Sequence, residues 1–89
     1  MTLTELLSSY IKKRTRALKE EETLKEILKR RLTKKEFKIF TYICEGVSEA
    51  EQMQKLSLDE KRYKEVKTKA EKKVNFHDLK EELMVGEED

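Results

Sequence analysis

The chain has 89 residues, of which 45% are charged and 36% are hydrophobic, with two glycines and no proline. This length limits the chain to one small domain, and the composition excludes a large α/β enzyme core, a collagen-like chain and a disulfide scaffold. No apolar run approaches the ~20 residues of a membrane-spanning helix, and the first residues have no signal-peptide pattern. The single cysteine, Cys44, suits a reducing compartment, so we expect a cytoplasmic protein.

The net charge of +2 is distributed unevenly along the chain. Residues 1–31 carry nine Lys and Arg against five acidic residues, and residues 32–75 carry eleven against eight. Residues 76–89 carry one basic residue against six acidic ones. A basic body with an acidic tail is compatible with nucleic-acid binding, although net charge alone is a weak argument for it.

Capping motifs and the helical period of the apolar residues divide the chain into helices. Ser/Thr-x-x-Glu motifs, which pair two amides of a first helical turn, begin at Thr2, Thr23, Thr33 and Ser48. Asp59 or Ser57 is expected to cap a further helix, and Asn75 with Asp78 a last one. The expected helices are residues 3–20, 24–31, 34–45, 49–56, 60–74 and 76–84, with Gly46 just past the third. No strand pattern occurs, so we expect an all-α fold.

The first predicted helix is long and uneven. Its apolar face consists of Leu3, Leu6, Leu7, Tyr10 and Ile11, but between residues 12 and 23 only Ala17 and Leu18 are apolar. One interpretation is a helix that packs at its start and continues as a solvated arm. The other is a coiled-coil or partner-binding helix running towards Leu28, although Lys13 and Glu20 interrupt its heptads. We therefore divide the chain into an N-terminal arm (1–22), a central domain (23–75) and a short helix with an acidic disordered tail (76–89).

The central domain has the layout of a tri-helical helix-turn-helix. It consists of a helix that ends at Gly46, a short helix, a turn around Leu58 and a longer basic helix. The last helix is long enough to lie in the major groove of DNA. The stretch from Leu32 to Leu58 resembles the LuxR-type and sigma-factor region 4 families, and the basic helix that follows is more similar to region 4. This resemblance implies promoter DNA binding, and contact with RNA polymerase.

The chain departs from the pattern of these families at several positions. Gln52 and Met53 stand where an aliphatic residue and then alanine are usual, and Tyr63 replaces a small aliphatic residue. Met53 therefore predicts a shifted crossing of the two helices of the motif. Asp59 and Glu60 put two acids at the start of the basic helix, where they favour the helix dipole but repel phosphate. A degenerate motif that has lost DNA binding is the alternative.

The positions of the basic and polar residues along the helices predict their roles in DNA binding. Lys61, Arg62 and Lys64 lie in the first turns of the basic helix, which meet base edges, and the guanidinium of Arg62 matches the acceptors of guanine. Glu65 could accept from a cytosine amine. The remaining predicted contacts, mostly to phosphates, are Thr68, Lys69, Lys72, Thr33, Lys34, Lys35 and Ser48, with Lys67 as a further phosphate ligand. The competing interpretation of each lysine is a solvated helix face, and of Arg62 an intrahelical pair with Asp59.

The sequence predicts no catalytic site, metal site or cofactor. Cys44 lies on an apolar stripe and His77 beside Asp78, and neither has a second His or Cys at metal-ligand spacing. We expect a small cytoplasmic, transcription-associated protein that binds double-stranded DNA. The alternative is a non-catalytic module that docks on RNA polymerase or another transcription protein through the apolar face of the first helix. A homodimer through residues 3–18 is a further expectation, and a structural domain without retained activity is a third interpretation.

Overall fold

A computed structural model of the chain describes residues 1–12 and 16–86. Within these residues the chain forms six helices: α1 (Leu3–Tyr10), α2 (Glu21–Arg31), α3 (Lys34–Glu45), α4 (Glu49–Leu56), α5 (Glu60–Val74) and α6 (His77–Leu83). The all-α expectation is confirmed. The bounds of α3, α4 and α5 coincide with the predicted ones. The cap residues Thr33, Ser48 and Asp59 mark their starts in the sequence, and Gly46 marks the end of α3.

Four of the predicted caps are present. The side chains of Thr2, Thr33, Ser48 and Asp59 each accept a hydrogen bond from the amide three residues later. At Thr2 and Thr33 the glutamate in that third position also accepts from the amide of the cap residue, which completes a capping box. Gly46 ends α3 in the left-handed conformation, at φ 79°.

Two predicted caps are wrong. Thr23 lies inside α2, which begins at Glu21, since acidic residues in a first turn stabilise the N-terminus of a helix electrostatically. The cap of α6 is Phe76, without a side-chain hydrogen bond. Asn75 instead ends α5, where its side-chain Nδ2 donates to the carbonyl of Tyr10 and its side-chain Oδ1 accepts from the backbone amide of Lys12.

The predicted long N-terminal helix is also wrong. α1 ends at Tyr10, and Ile11 is buried in an extended conformation. The backbone at residues 17–19 then pairs with residues 83–85, because the amide of Lys19 donates to Leu83 and the amide of Val85 donates to Ala17, each at 2.9 Å. These long-range bonds replace helical ones where the helix would have had no apolar face to bury. Lys13, one of the heptad interruptions, lies outside the described residues, as do residues 87–89 of the predicted disordered tail.

The helices share one hydrophobic core. α3 lies at its centre and contacts α1, α2, α4 and α5, while α6 packs against α2 and α5. Leu7, Leu24 and Phe40, from three different helices, are fully buried. Burial of each such side chain contributes ~1.5–3 kcal/mol. The N-terminal residues were expected to form an arm. They instead supply part of the core against which α5 packs.

Candidate nucleic-acid interface

α5 has a buried face and an exposed one, as its sequence predicts. Tyr63, Val66, Ala70 and Val74 are buried at a spacing of three and four residues. The seven predicted DNA contacts on α5, and the four at the starts of α3 and α4, are all exposed. The period of α5 accounts for the exposure of its seven residues, because residues between the buried positions must point to solvent.

A groove between the start of α3 and the side of α5 collects six of these eleven residues. Its volume is about 350 Å³. The predicted contacts that line it are Thr33, Lys34, Lys35, Arg62, Glu65 and Lys69. The groove exists because α3 packs against α5, which brings together two sets of residues that are almost thirty positions apart in the sequence.

The cations of this groove differ in how they are paired. Within residues 1–12 and 16–86, no carboxylate lies within 4.0 Å of the ammonium of Lys34, Lys35 or Lys69. Arg62 lies 3.8 Å from the carboxylate of Glu65, and both side chains are more than half exposed. Exposed pairs of this kind contribute only ~0–1 kcal/mol, so a phosphate could displace Glu65 at small cost. The competing interpretation paired Arg62 with Asp59, but the guanidinium lies near Glu65, and Asp59 accepts from the backbone amide of Arg62 at 2.7 Å.

An ion pair between the buried Glu36 and the partly exposed Lys73 joins the two helices that form the groove. Lys73 Nζ donates to Glu36 Oε1 at 2.8 Å, and the amide of Thr33 donates to the same oxygen at 2.9 Å. Burial of Glu36 acts to raise its pKa, but the bonds from Lys73 and Thr33 outweigh burial and hold the pKa below 4.5. We did not predict this pair. The signal available in the sequence was that Glu36 falls on the same helical stripe as the buried Ile39 and Phe40.

Two of the departures from the helix-turn-helix families bond to each other. The hydroxyl of Tyr63 donates to Gln52 Oε1 at 2.7 Å, and Gln52 Nε2 donates to the carbonyl of Val47 at 2.9 Å. Both side chains are buried, and burial raises the pKa of Tyr63. Gln52 and Tyr63 thus connect α4 to α5 by a satisfied polar contact where the families have apolar packing. Met53 lies beside them and is half-buried.

The turn between α4 and α5 is short. It consists of residues 57–59, and Ser57 adopts a left-handed conformation with φ 56° and ψ 44°. The amide of Leu58 donates to the carbonyl of Met53 at 2.9 Å, and the side chain of Leu58 is buried. A connection of this length is typical of the turn in helix-turn-helix motifs.

Five predicted contacts lie outside the groove. Thr68 and Lys72 line a separate depression of about 440 Å³ that also includes Phe76. Lys61 lies on the outer face of α5, and Lys64 pairs with Glu60 at 3.1 Å. Ser48 caps α4 on the other side of the turn, and Lys67, the further phosphate ligand, lies 3.5 Å from Glu49.

The apolar face of α1 is covered by the chain itself. Leu3, Leu7 and Ile11 are buried, and the half-buried ring of Tyr10 lies 5.4 Å from that of Phe40. A partner could reach this face only if α1 left the core. The homodimer through residues 3–18 and the contact with RNA polymerase stay predictions.

The chemically reactive residues lie apart from each other. Cys44 is half-buried rather than fully buried, and its burial raises the pKa of the thiol. His77 is exposed at the first position of α6. In the part of the chain that the structure describes, no three His, Cys, Asp or Glu side chains are grouped as metal ligands.

None of the helices in the described ranges combines the length and the apolar content needed to cross a bilayer. Comparison of the chain with protein-family models, with curated proteins and with solved structures finds no match. The resemblance to sigma-factor region 4 stays a prediction from the sequence.

Proposed function

We propose that the protein binds double-stranded DNA, with α5 in the major groove and the start of α3 against the phosphate backbone. The observation that carries this proposal is the groove between α3 and α5, with its three lysines that lack a carboxylate partner in the described residues. Unpaired cations beside an exposed helix suit a polyanion, since phosphate contacts supply most of the affinity of such proteins.

The dimensions and charge of α5 support this placement. Its 15 residues make a helix about 22 Å long, and the major groove of B-DNA is wide enough for a helix. α5 carries seven Lys and Arg against three Glu. Its first turn is acidic, because Asp59 and Glu60 stand there, so we place the strongest phosphate contacts further along the helix and on α3.

The predicted residues then have separate roles. Lys61, Arg62 and Lys64 face base edges, and Arg62 is released from Glu65 to contact guanine. Lys34, Lys35 and Lys69 contact phosphates along one edge of the DNA major groove. The short turn and the exposed face of α5 support a helix-turn-helix similar to sigma-factor region 4. With that motif we propose a role in transcription, in the cytoplasm.

The test is a titration of the protein with random-sequence duplex DNA, followed by amide NMR shifts and by fluorescence anisotropy. We expect shifts at Lys61, Arg62 and Lys69, and an affinity that falls steeply between about 50 and about 200 mM salt. Binding that persists at high salt would be inconsistent with phosphate contacts. If the amide chemical shifts of α5 do not change on addition of DNA at low salt, DNA is not the partner.

A pair of matched variants sharpens this test. Lys35→Gln/Lys69→Gln removes two groove cations, and each lost phosphate contact should reduce the slope of log affinity against log salt by about 0.9. Lys25→Gln/Lys55→Gln removes the same charge from exposed positions of α2 and α4 that do not line the groove. Equal loss in the two variants would indicate attraction to net charge instead of a defined groove.

A further inference from the structure

A second groove lies between α2 and the outer side of α3. It has a volume of about 490 Å³ and is lined by Lys29, Lys34, Phe37, Lys38, Thr41 and Tyr42. The five α3 residues follow a spacing of three, four, seven and eight, so they form one stripe along the helix beside the buried stripe of Ile39 and Phe40. α3 therefore has an apolar-containing face that no other element of the described chain fills.

The floor of this groove is largely apolar. Phe37 and Tyr42 are half-buried and pack against the outside of the core. The hydroxyl of Thr41 donates to the carbonyl of Phe37 at 3.0 Å, so it is already bonded within α3. An apolar side chain placed here would gain contact with two aromatic rings and would leave no donor of Thr41 unsatisfied.

The rim of the groove is entirely cationic. Lys29, Lys34 and Lys38 surround the aromatic floor, and no acidic side chain is among the six lining residues. In the described ranges, none of the three ammonium groups has a carboxylate within 4.0 Å. A ligand that fits must therefore combine carboxylates at its edges with an apolar centre.

We propose that this groove binds an acidic amphipathic helix of a partner protein, with apolar residues on one face and Asp or Glu on either side. Such a helix would place its apolar face on Phe37 and Tyr42 and its carboxylates next to the three lysines. The chain's own C-terminal helix is a poor occupant, because Glu81 is paired with Arg16, and Glu82 with Arg30 and Arg31. The proposal does not depend on DNA binding, since only Lys34 lines both grooves.

The experiment is a selection from a random peptide library displayed on phage, with the full chain as bait. We expect enriched peptides rich in Asp and Glu, with Leu, Ile or Phe at helical spacing. Phe37→Ser should weaken the binding of a synthetic copy of such a peptide by about tenfold or more, because the substitution removes the central aromatic contact. Lys29→Gln and Lys38→Gln should each weaken it by about two- to fivefold, and Lys35→Gln/Lys69→Gln should leave it unchanged.

Several results would overturn the proposal. These are an unenriched library, enriched peptides without acidic residues, and peptides that bind Phe37→Ser as well as the unaltered chain. Circular dichroism checks the fold of Phe37→Ser, and the exposed lysine variants decide the question if that variant unfolds. A dimer of the protein alone that Phe37→Ser dissociates would assign the groove to a second copy. Duplex DNA that shifts the amides of Phe37 and Tyr42 would assign the groove to nucleic acid.

Discussion

Two polar side chains, Glu36 and Gln52, are buried among the described residues, and each bonds to a residue of α5. Glu36 joins α3 to Lys73, and Gln52 joins α4 to Tyr63. A buried polar group that loses its partner costs about 1–3 kcal/mol, whereas apolar contacts tolerate small rotations. The two bonds therefore favour one rotation of α5 about its axis, and with it the set of side chains that α5 exposes.

At this scale we predict that Glu36→Gln destabilises the protein by about 1–3 kcal/mol at pH 7, because Lys73 loses its charged partner. The folded-state pKa of Glu36 lies below 4.5, so its contribution to stability is present above that pH and is lost as pH falls through the lowered pKa. The difference between the unaltered chain and the variant should shrink in that window. Urea denaturation at a series of pH values measures it.

The control for this prediction is Glu45→Gln, which changes an exposed carboxylate at the other end of α3. Its effect should stay within about 0.5 kcal/mol. A constant difference between Glu36→Gln and the unaltered chain down to acid pH would contradict the lowered pKa.

Among the elements, α4 and α5 depend on a polar contact that the helix-turn-helix pattern does not include. Tyr63→Phe removes the hydroxyl and leaves Gln52 Oε1 buried without that donor. We expect a loss of about 1–3 kcal/mol. The double variant Gln52→Leu/Tyr63→Phe should recover part of the loss, since it leaves no unpaired polar atom.

A double-mutant cycle in urea measures this coupling. Strict additivity of the two single changes would mean that the bond contributes little. If the proposed function is correct, Tyr63→Phe should also weaken DNA binding by less than Lys35→Gln/Lys69→Gln does, because it alters only the support of α5.

For the whole molecule, the N-terminal segment determines whether the chain is one domain or a domain with an arm. α1 packs against α2, α3 and α5, and the backbone at residues 17–19 bonds to residues 83–85 near the other terminus. We predict that Leu7→Ala costs about 2–5 kcal/mol, as a fully buried leucine does in a core. If the N-terminal segment were a solvated arm, Leu7→Ala would hardly change the free energy of unfolding.

Thermal and urea unfolding test this prediction, with Ser9→Ala on the exposed side of α1 as the control. The Leu7→Ala transition should remain a single step, because α1 shares its core with the other helices. A separate early transition would show that the N-terminal segment unfolds independently.

The sequence by itself determined the central helices. The caps at Thr33, Ser48 and Asp59 and the left-handed end at Gly46 are local signals, and the buried stripe of α5 follows from its 3.6-residue period. The exposure of the seven predicted DNA contacts on α5 could be predicted for the same reason. A helix start or a helix face depends on residues within a few positions of each other, so a single sequence contains the information.

Only the tertiary structure decided the end of α1, the pairing of residues 17–19 with 83–85, and the two grooves of α3. Lys12 bonds to Asn75, and Glu36 bonds to Lys73, across 63 and 37 positions of the chain. No local period or cap encodes such contacts, because they depend on how the helices pack. The same packing turned scattered lysines into one groove that suits phosphate and another that suits an acidic helix.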